Sequence, residues 1–334
     1  MKKILITGAN GFLGSAITKL ALKKKFDVSV FIRKKTNISN LEKIKSKIKI
    51  FYGDIRDINS LDNPIANSDV VFHVAADYRL WAKHPKEIYD SNVRGTENIC
   101  IKTAELSKTL VYTSSVATLG INSDHSSSDE NTKVCLQDMV GDYKISKYLA
   151  EKIVMRFINR KKMKGIIVNP STPIGPGDIK PTPTGKIIYD VLLGKMPAYV
   201  DTGLNIVHVD DVAEGHFLAL KYGKEGEKYI LGGENLDFKD FLDCISEFGN
   251  MPKVKIRLNP DYLMPFAYLN ELIFRLFDNK TPSLTVDGLK MSKKKMFFSS
   301  NKAKKKLLYR PRSVKSAIKD SINWFNSFDR VKNG

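Results

Sequence analysis

The 334-residue sequence predicts an α/β chain, with a doubly wound parallel sheet followed by a smaller C-terminal α/β lobe. Three observations predict it. Short apolar runs alternate with segments of helical period through the N-terminal half. A Gly-x-x-Gly-x-x-Gly turn joins the first run to the first helical segment. The alternation stops at Asn169, where turn formers take over.

The strand-like runs are Lys3-Thr7, Val28-Ile32, Ile48-Tyr52, Val70-Val74, Leu110-Thr113 and Gly165-Val168. Runs that are apolar throughout suit strands buried on both faces, as in a parallel sheet covered by helices. Between them Phe12-Leu22, Glu87-Leu106 and Asp142-Ile158 carry helical periodicity. Residues 1–169 are assigned to the doubly wound domain and residues 170–330 to a lobe partly interwoven with it. The segment from Asn169 to Asp178, rich in Pro and Gly, cannot form a helix interior. Residues 329–334 are expected to fray.

Composition narrows the function classes. Hydrophobic residues make up 42 %, as in a globular protein. Lys2 and Lys3 lead straight into a short apolar strand, so no signal peptide is expected there. Cys100, Cys135 and Cys244 are far apart and form no metal spacing with the five histidines, so no metal site is expected and the thiols are read as reduced. A cytoplasmic location is expected. The formal charge of +19 is spread along the chain and is read as solvated lysines, not as a nucleic-acid surface. Lys293-Lys295 and Lys304-Lys306 lie near a Leu-, Phe- and Tyr-rich stretch, so peripheral membrane contact is a candidate there. The stretch Tyr262-Phe277 is interrupted by Asn270, Glu271 and Arg275 and does not suit a membrane span. A homodimer is the candidate assembly.

The turn after the first strand reads Gly8-Ala9-Asn10-Gly11-Phe12-Leu13-Gly14. Gly8 permits a tight turn, Gly11 lets the backbone approach a pyrophosphate, and Gly14 lets the helix pack on the sheet. The amides of Phe12, Leu13 and Gly14 open a helix, whose dipole favours phosphate. A dinucleotide is therefore the expected cofactor. The second strand ends in Arg33-Lys34-Lys35, where a ribose-binding carboxylate would otherwise stand. Arg33 and Lys34 suit a 2′-phosphate, which favours NADP(H) over NAD(H). Asp54 after the third strand can accept from the adenine amine, and Ile55 can flank the ring. Small Ala75 and Ala76 leave space for the cofactor at the sheet edge.

Tyr143 and Lys147 lie one turn apart near the start of a helical segment, so they share a face. A cation beside a phenol lowers its pKa, and the phenol can then exchange a proton with a substrate oxygen. Ser115, at the end of the fifth strand, points to the crevice and can orient that oxygen. Ser114 is the weaker alternative.

Together Gly8-x-x-Gly11-x-x-Gly14, Asp54, His73-x-Ala75-Ala76, Asn92-Val-Arg-Gly95-Thr96, Ser114-Ser115, Tyr143-x-x-x-Lys147 and His208-Val-Asp-Asp-Val-Ala213 resemble the extended short-chain dehydrogenases/reductases. His73-Val-Ala-Ala-Asp-Tyr-Arg-Leu-Trp81 and Asn169-Pro-Ser-Thr-Pro-Ile-Gly-Pro-Gly-Asp178 resemble the dihydroflavonol 4-reductase-like branch, including hopanoid-associated sugar epimerases. The resemblance implies a Rossmann domain, a supporting role for Asn92, and nicotinamide-side contacts from Pro170 and Ser171. It also implies a substrate pocket lined by Asp77 to Trp81. Leu308 departs from the pattern, since such tails carry glycine at that turn.

Three functions are carried forward. One is an NADP(H)-dependent oxidoreductase acting on a carbonyl or hydroxyl. Another is a nucleotide-sugar epimerase or dehydratase, for which Lys180, Lys186 and Lys195 could hold a second pyrophosphate. The remaining one is a non-catalytic NADP(H)-binding sensor, against which the intact Ser115, Tyr143 and Lys147 set speaks. The partner is a small molecule in the first two cases.

Overall fold

The computed structural model describes residues 2–277, 282 and 284–333. In chain order the elements are β1 (Lys3–Thr7), α1 (Phe12–Lys23), β2 (Asp27–Ile32), β3 (Lys49–Tyr52), α2 (Asp62–Ala66), β4 (Val70–His73), α3 (Lys86–Tyr89), α4 (Gly95–Glu105), β5 (Thr109–Thr113), α5 (Gly141–Asn159) and β6 (Lys164–Pro170). There follow β7 (Thr172–Ile174), α6 (Pro183–Leu192), β8 (Ala198–Val200), β9 (Gly203–His208), α7 (Val209–Tyr222), β10 (Lys228–Leu231), β11 (Glu234–Asp237), α8 (Phe238–Gly249), β12 (Ile256–Leu258), α9 (Pro260–Phe277), α10 (Val286–Ser292), β13 (Lys295–Met296), α11 (Asn301–Leu307) and α12 (Val314–Asn333).

Seven parallel strands form the main sheet in the order β10-β6-β5-β4-β1-β2-β3. Every strand expected from an apolar run is in it. The runs are apolar throughout because both faces are covered. Ile4, Ile6, Val30 and Phe72 pack with Ile17 and Phe217 on one side, while Leu5, Val71 and Tyr112 pack with Ile99 and Val154 on the other. The order reverses between β1 and β4, which opens a crevice at their C-terminal ends.

Beyond residue 169 the chain contributes to both parts. Strand β10 pairs with β6 as the edge of the main sheet. Strand β9 centres a second sheet with β11 on one edge and β7 and β13 on the other. Its core joins α6, α8 and α12 through Ile188, Phe241, Ile245, Ile318 and Ile322. Arg312 ties the C-terminal region to α7, donating to Asp211 from its backbone at 2.8 Å and its Nε at 3.0 Å.

Three local expectations differ. The helix expected over Glu87–Leu106 is interrupted by a π-turn, Asp90–Arg94, between α3 and α4. The turn-rich stretch after Asn169 is not all loop, because β6 runs on to Pro170 and β7 pairs with β9. Helix α12 continues to Asn333, through most of the segment expected to fray; Gly334 lies outside the described residues.

Candidate active site

The crevice is shaped by glycine at two positions. Gly8 leaves β1 with φ +68°, and a Cβ there would stand 2.7 Å from the Ala75 Cα. The backbones after β1 and β4 therefore touch across the switch point. A Cβ on Gly14 would stand 2.1 Å from the Gly8 carbonyl oxygen, so only glycine lets α1 lie this close to the turn. Gly11 is the N-cap of α1, exposed and extended, with no side-chain capping bond and no acidic residue in the following turn. The first-turn amides of Phe12, Leu13 and Gly14 are thus left to an anion. This cradle fits a dinucleotide pyrophosphate.

Asn10 fastens the turn to the chain after β2, donating to Thr36 Oγ1 at 2.9 Å and the Asn37 carbonyl at 3.2 Å. Arg33 and Lys34 are exposed just beyond β2. Asp54 is already engaged. Arg56 donates to both its carboxylate oxygens, from Nε at 3.0 Å and Nη2 at 2.7 Å, and holds the carboxyl below its ordinary value. Ile55 packs over Gly95, where a Cβ would come within 2.6 Å of its Cδ1. Ala75 is half-buried and Ala76 exposed. At the other end of the crevice, Pro170 closes β6 and Ser171 follows, its buried Oγ without a hydrogen-bond partner. That orphaned hydroxyl is free to meet a polar group of a ligand.

Helix α5 presents Tyr143, Lys147 and Glu151 on one face, each one turn from the next. The Tyr143 hydroxyl lies on the side of Ser115, whose side chain interacts with it. Burial pushes this phenol up, and the interaction with Ser115 works against that rise. Ser114 turns away and donates to Glu151 Oε2 at 2.5 Å. Lys147 is buried. Its Nζ donates to the Thr113 carbonyl at 2.8 Å and to Tyr112 Oη at 3.0 Å. Burial lowers its pKa to about 7, and the Glu151 charge raises it in opposition. Lys147 does not hydrogen-bond to Tyr143. The two hydrogen bonds of its ammonium both go to β5.

Behind Lys147 runs a buried polar chain. Tyr112 faces Thr96, whose Oγ1 is 3.1 Å from His73 Nε2; His73 Nδ1 is 2.8 Å from Thr7 Oγ1. Thr7 Oγ1 accepts from the Val74 and Ala75 amides, so its own hydrogen is free for His73 Nδ1. That places the ring proton on Nε2, toward Thr96. Burial and the charge of Lys147 hold His73 neutral, with its pKa lowered to about 3. The chain thus links the glycine turn to the lysine.

Glu151 anchors a second network. Its carboxylate accepts from Thr118 Oγ1 at 2.8 Å, Asn169 Nδ2 at 2.9 Å and Lys228 Nζ at 2.9 Å, joining α5 to β6 and β10. Asn92, buried in the π-turn, donates to Ser146 Oγ at 2.9 Å and clasps the backbone of Asp77 at 2.7 and 2.8 Å. It joins the loop after β4 to α5 through Ser146. On that loop Asp77 pairs with Arg79 at 2.6 Å, Tyr78 is exposed, and Trp81 is buried with its Nε1 unpartnered.

Sequence reasoning overlooked Thr7, Tyr112, Glu151 and Asn169. Only Glu151 had a signal, being one turn beyond Lys147 on the same face.

This fold and site define an NAD(P)-dependent enzyme of the extended short-chain dehydrogenase/reductase type. The chain belongs to the NAD dependent epimerase/dehydratase family, whose sequence pattern matches residues 4–232. A Synechocystis sp. protein provisionally named dihydroflavonol 4-reductase is 38 % identical over 333 residues, covering 98 % of this chain and 95 % of its own. Sterol demethylase protein B of Methylococcus capsulatus is 27 % identical over 326 residues, covering 96 % of this chain and 97 % of its own. Among solved structures, gox2253 superposes with a TM-score of 0.88 at 45 % identity, covering 99 % of both chains. A nucleoside-diphosphate-sugar epimerase from Pseudomonas aeruginosa shares the fold at a TM-score of 0.81 and 20 % identity, covering 98 % of both.

Proposed function

We propose that this protein is an NADP(H)-dependent reductase that converts a carbonyl of a small molecule to a hydroxyl. The observation that carries this reading is the Tyr143 phenol, one turn before buried Lys147 on α5 and interacting with Ser115 just past β5, in a fold whose glycine turn can hold a dinucleotide. A phenol pushed up by burial holds its proton, which is the form a reduction needs. A bound reduced nicotinamide would supply the hydride.

Gly8, Gly11 and Gly14 with the first turn of α1 hold the pyrophosphate, and Arg33 with Lys34 receives the 2′-phosphate. Asp54 and Ile55 border the adenine, Ala75 and Ala76 line the wall, and Pro170 with Ser171 meets the nicotinamide side. Ser115 orients the substrate oxygen, and Tyr143 donates a proton to it as negative charge develops there. Lys147, held from below by Tyr112 and Thr113, sets a positive charge beneath the site. Asn92 positions α5 against the loop from Asp77 to Trp81, which borders the substrate.

A nucleotide-sugar reading has less support. Lys186 is paired with Asp190, while Lys180 and Lys195 are separate surface positions on either side of α6. They form no built cradle for a second pyrophosphate.

Purified protein is mixed with NADPH or NADH and a panel of aldehydes and ketones, and cofactor absorbance is followed. Net loss of NADPH, faster than of NADH, is the expected result. Tightly retained cofactor with no net turnover would overturn the reductase reading in favour of an epimerase.

A further inference from the structure

Helix α9 is built the wrong way round for a helix that faces water. Two of its polar residues, Asn270 and Glu271, point inward, while Asp261 in the first turn is exposed and pairs with Lys293. Asn270 Nδ2 donates to the Leu284 carbonyl at 3.0 Å, and Glu271 Oε1 accepts from the Val286 amide at 2.8 Å. They flank a small apolar contact of Leu263, Met264 and Ala267 with Val286 and Leu289 of α10. Beyond the first residues, six exposed apolar side chains form the outward stripe. Tyr262 is 79 % exposed, Phe266 65 %, Leu269 56 %, Leu272 53 %, Ile273 45 % and Leu276 64 %. Spacings of three and four residues put these side chains on one side of the helix. Single exposed apolar residues need no explanation, but a contiguous stripe this long marks an interaction surface.

The charge around the stripe indicates what covers it. Lys255 and Arg257 lie just before α9, and Lys290, Lys293 and Lys294 lie at the end of α10. Arg257 and Lys293 pair with Asp201 and Asp261, while Lys255, Lys290 and Lys294 are exposed with no carboxylate in ion-pair range among the described residues, Asp138 being the acidic group that feels the Lys294 charge. From residue 253 to residue 295 the sequence has nine basic residues and four acidic ones. A second copy docked through the same face would set like charges opposite each other, because a two-fold contact repeats one patch on both sides. An anionic lipid surface complements the apolar stripe and its cationic margins together.

We propose that the outward face of α9 docks onto an anionic phospholipid bilayer. The aromatic and aliphatic side chains enter the acyl boundary, and Lys255, Lys290 and Lys294 meet lipid phosphates. No helix among the described residues is long and apolar enough to cross a membrane, so α9 lies in the interface plane. The docked face adjoins the catalytic helix. Asp287 of α10 abuts Gly141, the first residue of α5, where a Cβ would stand 2.9 Å from Asp287 Oδ2. Docking is independent of the reductase reading, and either can fail without the other.

Full-length protein is floated with phosphatidylcholine vesicles, with and without phosphatidylglycerol, at low and high salt. It is expected to rise with the phosphatidylglycerol vesicles and to be released by salt. A Phe266→Ser/Leu269→Ser variant should lose binding by about tenfold or more, and Lys290→Ser/Lys294→Ser should lose the preference for phosphatidylglycerol. Circular dichroism and NADPH titration confirm that each variant is folded. Wild-type protein that stays with neither vesicle type overturns the proposal. So does a dimer in sedimentation that Phe266→Ser dissociates. The lipid and salt comparison on wild-type protein decides even where a variant misfolds.

Discussion

Lys147 donates to the hydroxyl of Tyr112 on β5 at 3.0 Å, not to Tyr143 one turn earlier on its own helix. Tyr112 is fully buried and stays a neutral phenol, since burial raises its pKa well above the ordinary value. The lysine is thereby fixed to the sheet. Tyr112→Phe removes one of two acceptors from a buried ammonium. The expected stability loss is about 1–3 kcal/mol in chemical denaturation. Its pKa should fall further, moving the alkaline limb of the kcat/KM profile to lower pH. A purely structural role for Tyr112 would leave that limb in place.

The pH dependence of the wild type follows from Lys147. Its folded value of about 7 lies below the ordinary 10.5, so the folded protein releases this proton first. Turnover that needs the ammonium should decline as pH rises through about 7, as seen in kcat/KM, which reports the free enzyme. The stability contribution has the opposite slope. Burying the ammonium costs stability below pH 7, and the cost is relieved between about 7 and 10.5. Lys147→Met should flatten both trends.

Tyr143→Phe removes the proton donor and keeps the ring. Turnover of a carbonyl substrate is expected to drop about 10²–10⁴-fold, with NADPH affinity within about twofold of wild type by fluorescence titration. Turnover equal to wild type would exclude Tyr143 as the acid.

Arg33→Ala should raise the KM for NADPH about tenfold or more and leave that for NADH nearly unchanged, since charge-assisted bonds to a 2′-phosphate contribute about 1.5–3 kcal/mol. Equal effects on both cofactors would assign Arg33 to the pyrophosphate or to the general surface field.

Leu308 caps α11 in the left-handed region at φ +61° and is 58 % exposed. A leucine held there gains no packing to offset its strain. Leu308→Gly should raise stability by about 0.5–1 kcal/mol, read as a higher Tm, with kinetics unchanged. Gly8→Ala is the converse. At φ +68°, with Ala75 backbone 2.7 Å from the new methyl, it should cost about 2 kcal/mol or more and abolish dinucleotide binding.

Much of this protein could be read from local pattern. Apolar runs marked all six strands from β1 to β6, because strands buried on both faces need apolar side chains on both. The triple glycine marked the turn, because only glycine tolerates φ +68° at Gly8 and the close approach at Gly14. Tyr143 and Lys147 were paired by helical spacing alone. Sequence spacing names the residues that share a face, but not what that face meets. The partners of Lys147 come from β5, more than thirty residues away, and were set when the sheet order placed β5 beside α5. Asp54 was drawn to Arg56 and Asn92 was turned by a π-bulge toward Asp77 and Ser146, choices made by packing rather than by periodicity. The outward apolar face of α9 has the same origin. Its composition was visible in the chain, but which side faces water was decided only when α10 satisfied Asn270 and Glu271 from within.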